Sequence, residues 1–111
     1  MSRQKRISSL LKAEISKLLI TKINDDRIGF ISITDVKISN DRAHAWVYYS
    51  QIGDNQEKEL TKKGLASATK FIHAELSKII RYMNIPKIHF RFDESIERGT
   101  NIIQKIDDIT K

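Results

Sequence analysis

The chain has no cysteine, one proline, four glycines and one tryptophan in 111 residues. Without cysteine there can be no disulfide framework, no thiolate-bound zinc and no thiol catalysis. Long apolar runs are missing as well. Aliphatic runs stop at three residues, as in Leu18-Leu19-Ile20, far short of the ~20 that a membrane helix needs. No apolar stretch of signal-peptide length follows the basic start Arg3-Gln4-Lys5-Arg6. Neither a membrane span nor a secretory address is therefore expected, and the cytoplasm is the expected location. Internal repeats, low-complexity tracts and Pro-, Gly- or Ser-rich linkers are also missing, so residues 1–111 are expected to form one domain. The sequence holds no Gly-x-Ser-x-Gly elbow, no P-loop and no dinucleotide fingerprint.

Positive charge, by contrast, is plentiful. Twenty Lys and Arg stand against fourteen Asp and Glu, a net charge of +6. Its distribution is uneven. Residues 1–24 hold six cationic side chains against Glu14 alone, and residues 62–91 hold seven against Glu75 alone. The stretches 25–61 and 92–111 are net acidic. Two basic blocks separated by acidic ones suggest a positive face or groove, which favours a polyanion because neutralised phosphates release counterions. A merely solvated helix surface would have the same composition.

Hydrophobic spacing gives the elements. Ile7, Leu10, Leu11, Ile15, Leu18 and Leu19 recur at three- and four-residue steps, which predicts an amphipathic helix over 4–23. Ile31 and Ile33 alternate, then Val36 and Ile38 alternate in the other phase, so the first strand needs a bulge. Ser39-Asn40-Asp41-Arg42 reads as a turn into a second, antiparallel strand, Ala43 to Ser50, with Ala43, Ala45, Val47 and Tyr49 on one side. Asp54 and Glu57 have capping-box spacing, opening a helix that Gly64 should keep short or weak. A stronger helix is predicted from Ala66 to Met83, with Ile72, Leu76, Ile79 and Met83 buried and Lys70, His73, Ser77 and Arg81 opposite. Pro86 precedes a third strand, Lys87 to Asp93, with Ile88, Phe90 and Phe92 inward. Ile96, Ile102, Ile103, Ile106 and Ile109, with Gly99 in the connection, suggest a short closing element. The order α-β-β-α-α-β predicts an α+β fold with helices on one face of a three-stranded sheet.

Two segments carry a resemblance. One runs from Val36-Lys37-Ile38-Ser39-Asn40-Asp41 into Ala43-His44-Ala45-Trp46-Val47-Tyr48-Tyr49-Ser50. The other is Pro86-Lys87-Ile88-His89-Phe90-Arg91-Phe92-Asp93-Glu94-Ser95-Ile96, with Gly99 beyond it. Together, and over almost the whole chain, they resemble the ribosome-binding factor A family, small-subunit assembly factors with a type II KH-like fold. The family's Ala-x-Gly kink between helices corresponds to Ala68-Thr69-Lys70, where lysine replaces glycine and makes a positive-φ turn less favourable. Two helices meeting at an angle there, with Lys70 exposed, are expected. The resemblance further implies binding to the small (30S) subunit and its 16S rRNA, support of late maturation and 5′-end processing, and a role in cold adaptation. It also implies an assembly GTPase as a release partner. A monomer is expected.

The candidate RNA-binding residues are Arg3, Lys5, Arg6, Lys12, Lys62, Lys63, Lys70, His73 and Arg81, with Arg3, Lys5 and Arg6 expected to be mobile until bound. Phosphate contacts of this kind position a protein without reading sequence. His44, His73 and His89 have no second histidine or carboxylate at ligand-like spacing, so no metal, cofactor or catalytic residue is expected. Trp46 and Tyr48, with His89 and Arg91 on the neighbouring strand, could stack on bases. Covering an exposed sheet face or packing on the C-terminal segment is the preferred reading, since KH-like domains grip nucleic acid along the helix pair. A general RNA chaperone, a small phosphoesterase using His44 or His89, and a protein adaptor are the rival classes.

Overall fold

The computed structural model of the chain describes residues 2–95. Among them, five elements follow in the order α1 (Arg3–Thr21), β1 (Ile31–Ile38), β2 (His44–Gln51), α2 (Asn55–Ile79) and β3 (Lys87–Phe92). The closing element expected over Ile96, Ile102, Ile103, Ile106 and Ile109 lies outside the described residues.

Ser2 caps α1 by accepting from the Lys5 backbone N–H at 3.2 Å, satisfying one of the helix's orphan donors. Ile7, Leu11, Ile15 and Leu18 are its buried stripe. Arg3, Lys5 and Arg6 are exposed side chains of its first turns. A bulge in β1 falls between Ile33 and Asp35, so Thr34 is the additional residue opposite β2. The phase slip lets Ile33, Val36 and Ile38 all reach the same core. Strand β2 alternates without fault, with Ala45, Val47, Tyr49 and Gln51 buried. It lies at the centre of the sheet, antiparallel to β1 and parallel to β3. Parallel pairing of β2 with β3 requires a crossover connection, which α2 supplies. Both helices pack on one face of the sheet, their buried residues meeting Val36, Ala45, Val47 and Ile88 in a single cluster.

Three expectations about α2 need correcting. The helix is one uninterrupted element from Asn55 to Ile79, not two helices meeting at Ala68-Thr69-Lys70. Its N-terminus carries the full capping box between Asp54 and Glu57, and Gly64 does not weaken it into a separate piece. Gly64 is where the helix meets the α1–β1 connection: a Cβ there would sit 2.6 Å from Ile28 Cγ1. The helix also ends at Ile79 and not Met83. Ile80 leaves helical geometry at φ −109°, ψ 89° and turns its side chain inward, 2% exposed, while Ile79 is 48% exposed. The buried stripe is therefore Leu65, Ala68, Ile72 and Leu76, then Ile80 beyond the helix.

Candidate nucleic-acid interface

The predicted site residues are spread over α1, α2 and the connection after α2. Arg3 and Arg6, on α1, line a cavity of about 260 Å³ together with Arg42 from the β1–β2 turn and Tyr82 from the connection after α2. Ile7, Leu10 and Met83 supply its apolar walls, and none of the lining residues is acidic. Arg42 holds a left-handed conformation, φ 60°, uncommon for a residue with a side chain. Ser39 and Asp41 fix the turn before it: the Ser39 hydroxyl donates to Asp41 Oδ1 at 2.7 Å, and the Ala43 N–H donates to the same oxygen at 3.0 Å. These hydrogen bonds hold the Asp41 pKa below its ordinary value. Tyr82 is 76% exposed beside these guanidiniums.

Along α2, Lys62, Lys63 and Lys70 are exposed. Lys62 lies 3.9 Å from Glu59 with both side chains largely in solvent, a pair of little energetic weight. Lys63 and Lys70 have no ion-pair partner among the described residues, and their seven-residue spacing puts them about 10 Å apart along one line of the helix. Both basic helices lie on the same side of the sheet. Lys5 and Lys12 are exposed on α1, Lys12 Nζ donating to the Thr34 carbonyl at 3.4 Å.

The expected stripe of Lys70, His73 and Arg81 is not one surface. His73 is half-buried, with Nε2 3.0 Å from the Ile85 carbonyl, which ties α2 to the connection before β3. Arg81 is exposed but beyond the helix, its Nε donating to the Lys78 carbonyl at 3.3 Å. Arg27 is largely committed to Asp25 through a bidentate pair at 3.0 and 2.7 Å. That guanidinium, with the Arg27 N–H, lowers the Asp25 pKa to about 2.

Sequence reasoning missed Arg42 and Tyr82. Arg42 read only as a turn residue and Tyr82 as part of a helix end. Their meeting with Arg3 depends on how the β1–β2 turn lies beside α1. It also missed the pairing of His44 with His89, whose Nδ1 and Nε2 are 2.9 Å apart on neighbouring strands. The groups around them are Trp46, Lys87 and Arg91, a cationic setting that does not suit a metal ion. No cluster of three metal-ligating side chains occurs among the described residues, and no helix among them is long and apolar enough to cross a membrane.

Asp93 and Ser95, at the end of the Pro86–Ile96 segment that carries the resemblance, have a structural task. The Thr34 hydroxyl of the β1 bulge donates to Asp93 Oδ2 at 2.6 Å, and the Ser95 N–H donates to Oδ1 at 3.0 Å. Hydrogen bonds from Ser95 and Thr34 hold the Asp93 pKa below its ordinary value.

Comparison with known proteins agrees with this architecture. Residues 3–106 match the family model described as Ribosome-binding factor A. The Dictyoglomus thermophilum ribosome-binding factor A is 42% identical over 108 residues, covering 96% of this chain and 90% of that protein. Its Halothermothrix orenii counterpart is 43% identical over 100 residues, covering 90% and 82%. The crystal structure of the Thermus thermophilus factor shares the fold, with a TM-score of 0.69 at 20% identity, over 81% of this chain and 96% of that one. A homology model of the Thermus thermophilus factor, fitted into the cryo-EM map of a 30S complex, superimposes with a TM-score of 0.64 at 21% identity. It covers 78% of this chain and 91% of that one. With nearly the whole chain matched at this identity, the protein belongs to the ribosome-binding factor A family.

Proposed function

We propose that this chain is a single-domain small-subunit assembly factor. It binds the 30S subunit through 16S rRNA, on the side of the molecule carrying the two basic helices. The observation that carries this reading is the cluster of Arg3, Arg6 and Arg42 around exposed Tyr82, with no carboxylate among the lining residues. Guanidiniums in that arrangement suit phosphate oxygens, and the tyrosine ring offers a face to a base or ribose. Lys63 and Lys70 extend the positive surface along α2. The Thermus relative fitted into a 30S complex supports the choice of target. Late maturation and 5′-end processing of the rRNA, growth in the cold, release by an assembly GTPase, and a cytoplasmic monomer complete the proposal.

Sedimentation of extracts tests it. The protein is expected to travel with free small subunits and to be depleted from intact ribosomes, and deleting the gene is expected to leave rRNA precursors with unprocessed 5′ ends. Equal binding to free single-stranded RNA and to subunits would mark a general RNA chaperone instead.

A further inference from the structure

The sheet face turned away from the helices is built unlike an ordinary solvated one. Strand periodicity directs His44, Trp46 and Tyr48 of β2 to this side, together with His89 and Arg91 of β3 and Lys37 of β1. Parallel register sets Trp46 beside His89 and Tyr48 beside Arg91. The rings assemble: Trp46 stacks with His89 at 5.8 Å and 22°, and His44 lies 5.1 Å from His89 and 5.9 Å from Trp46. Cations surround them, with Arg91 5.9 Å from the Trp46 centroid and Lys37 Nζ 5.5 Å from that of Tyr48. Lys87, exposed, pairs in register with His44.

We propose that this face is a second RNA contact, separate from the helical side, which takes unpaired bases by stacking on Trp46 and Tyr48 while Lys37, Lys87 and Arg91 meet the phosphates. The charge complementarity is specific to a polyanion with flat, uncharged groups between its charges. Three carboxylates border the face: Asp35 accepts from the Val36 N–H at 2.8 Å, Asp93 is held by Thr34 and Ser95 within electrostatic reach of Lys37, and Asp41 is held by Ser39 and the Ala43 N–H within electrostatic reach of His44. None of the three closes to a side-chain ion pair with Lys37, Lys87 or Arg91 among the described residues. The 2.9 Å contact between the two imidazoles requires that one nitrogen carry the proton and the other accept it. Whichever ring donates, the two imidazoles are joined edge to edge and extend the platform as aromatic surface beside Trp46. Stacking on such a surface is tolerant of sequence, because every base has a π-face. The proposal does not rest on ribosome binding; any single-stranded RNA of suitable length is a ligand of this face.

Trp46 is the chain's one tryptophan, so its fluorescence reports on this face alone. The full chain would be titrated with an oligoadenylate of about ten nucleotides, inside the ~4–16 nucleotide range of stacking platforms. Binding would be followed in parallel by anisotropy of the labelled RNA. Trp46 emission is expected to be quenched in step with binding, and acrylamide is expected to reach Trp46 in the free protein and to be excluded from it in the complex. Tyr48→Ala should weaken binding roughly tenfold, the worth of one stacked base. Trp46→Phe should retain binding that Trp46→Leu loses, with both variants melting normally. Three results would overturn the proposal: no binding, binding with Trp46 emission unaltered, or a Trp46 that acrylamide cannot reach in the free protein. The last would mean that another part of the chain, such as residues 96–111, already covers the face.

Discussion

Gly64 illustrates how a single residue serves packing against local preference. Glycine inside a helix costs up to ~1 kcal/mol relative to alanine, yet α2 runs straight through it. The reason lies 36 positions earlier, where Ile28 Cγ1 and Arg27 Cβ occupy the space a Cβ would need, at 2.6 and 3.3 Å. Gly64→Ala should gain helix propensity and lose more through overpacking, typically ~1–3 kcal/mol. A lowered melting temperature with unchanged helix content is the expected result of a thermal scan.

His89 makes the second residue-scale prediction. Burial, the His44 ring and the cations of Lys87 and Arg91 hold its pKa below the ordinary 6.5. With a depressed basic pKa, the unfolded chain takes up the proton first. This group's share of stability is therefore intact above about 6.5 and is lost as pH falls through the folded value. The depressed carboxylates Asp25, Asp41 and Asp93 lose theirs only below about 3.8, so the two windows are distinct. Melting temperature should drop on acidification through the histidine window, and His89→Gln should flatten that step without altering the lower one.

At the scale of elements, much of the fold was legible because the signals are local. The phase change between Ile33 and Val36 announced the β1 bulge, and the alternation of Ala45, Val47 and Tyr49 announced the inner face of β2. Helix α2 was misread where a distant neighbour decides. Gly64 looked like a weak point because Ile28 is invisible to a local window, and Ile79 looked buried because the stripe was extended past the point where Ile80 turns inward. The assigned helix end has a direct test. Leu76→Ala, at a fully buried position of the stripe, should cost ~2–5 kcal/mol. Ile79→Ala should cost within ~0.5 kcal/mol, as a surface change does. Equal losses in denaturant titrations would contradict that end.

Across the whole molecule, charge was legible as two blocks but not as a site. Arg42 meets Arg3 and Arg6 only once the β1–β2 turn lies beside α1, and His73 leaves the surface only once the chain at Ile85 passes beneath it. The His44–His89 pair likewise needs the parallel register of β2 and β3. The same geometry predicts how binding responds to salt. Contacts to phosphates give an affinity whose logarithm falls linearly with the logarithm of salt concentration, and each lost contact should reduce the slope by about one.

The most direct measurement is therefore the affinity of the full chain for purified small subunits as a function of salt, for the wild type and for Arg6→Glu with Arg42→Glu. Arg6 and Arg42 are exposed and have no side-chain ion-pair partner among the described residues, so the double variant should melt like the wild type. It is predicted to bind subunits weakly and with a shallower salt slope. Wild-type affinity with an unchanged slope would contradict the account, because it would mean that the arginine cluster around Tyr82 does not touch the rRNA.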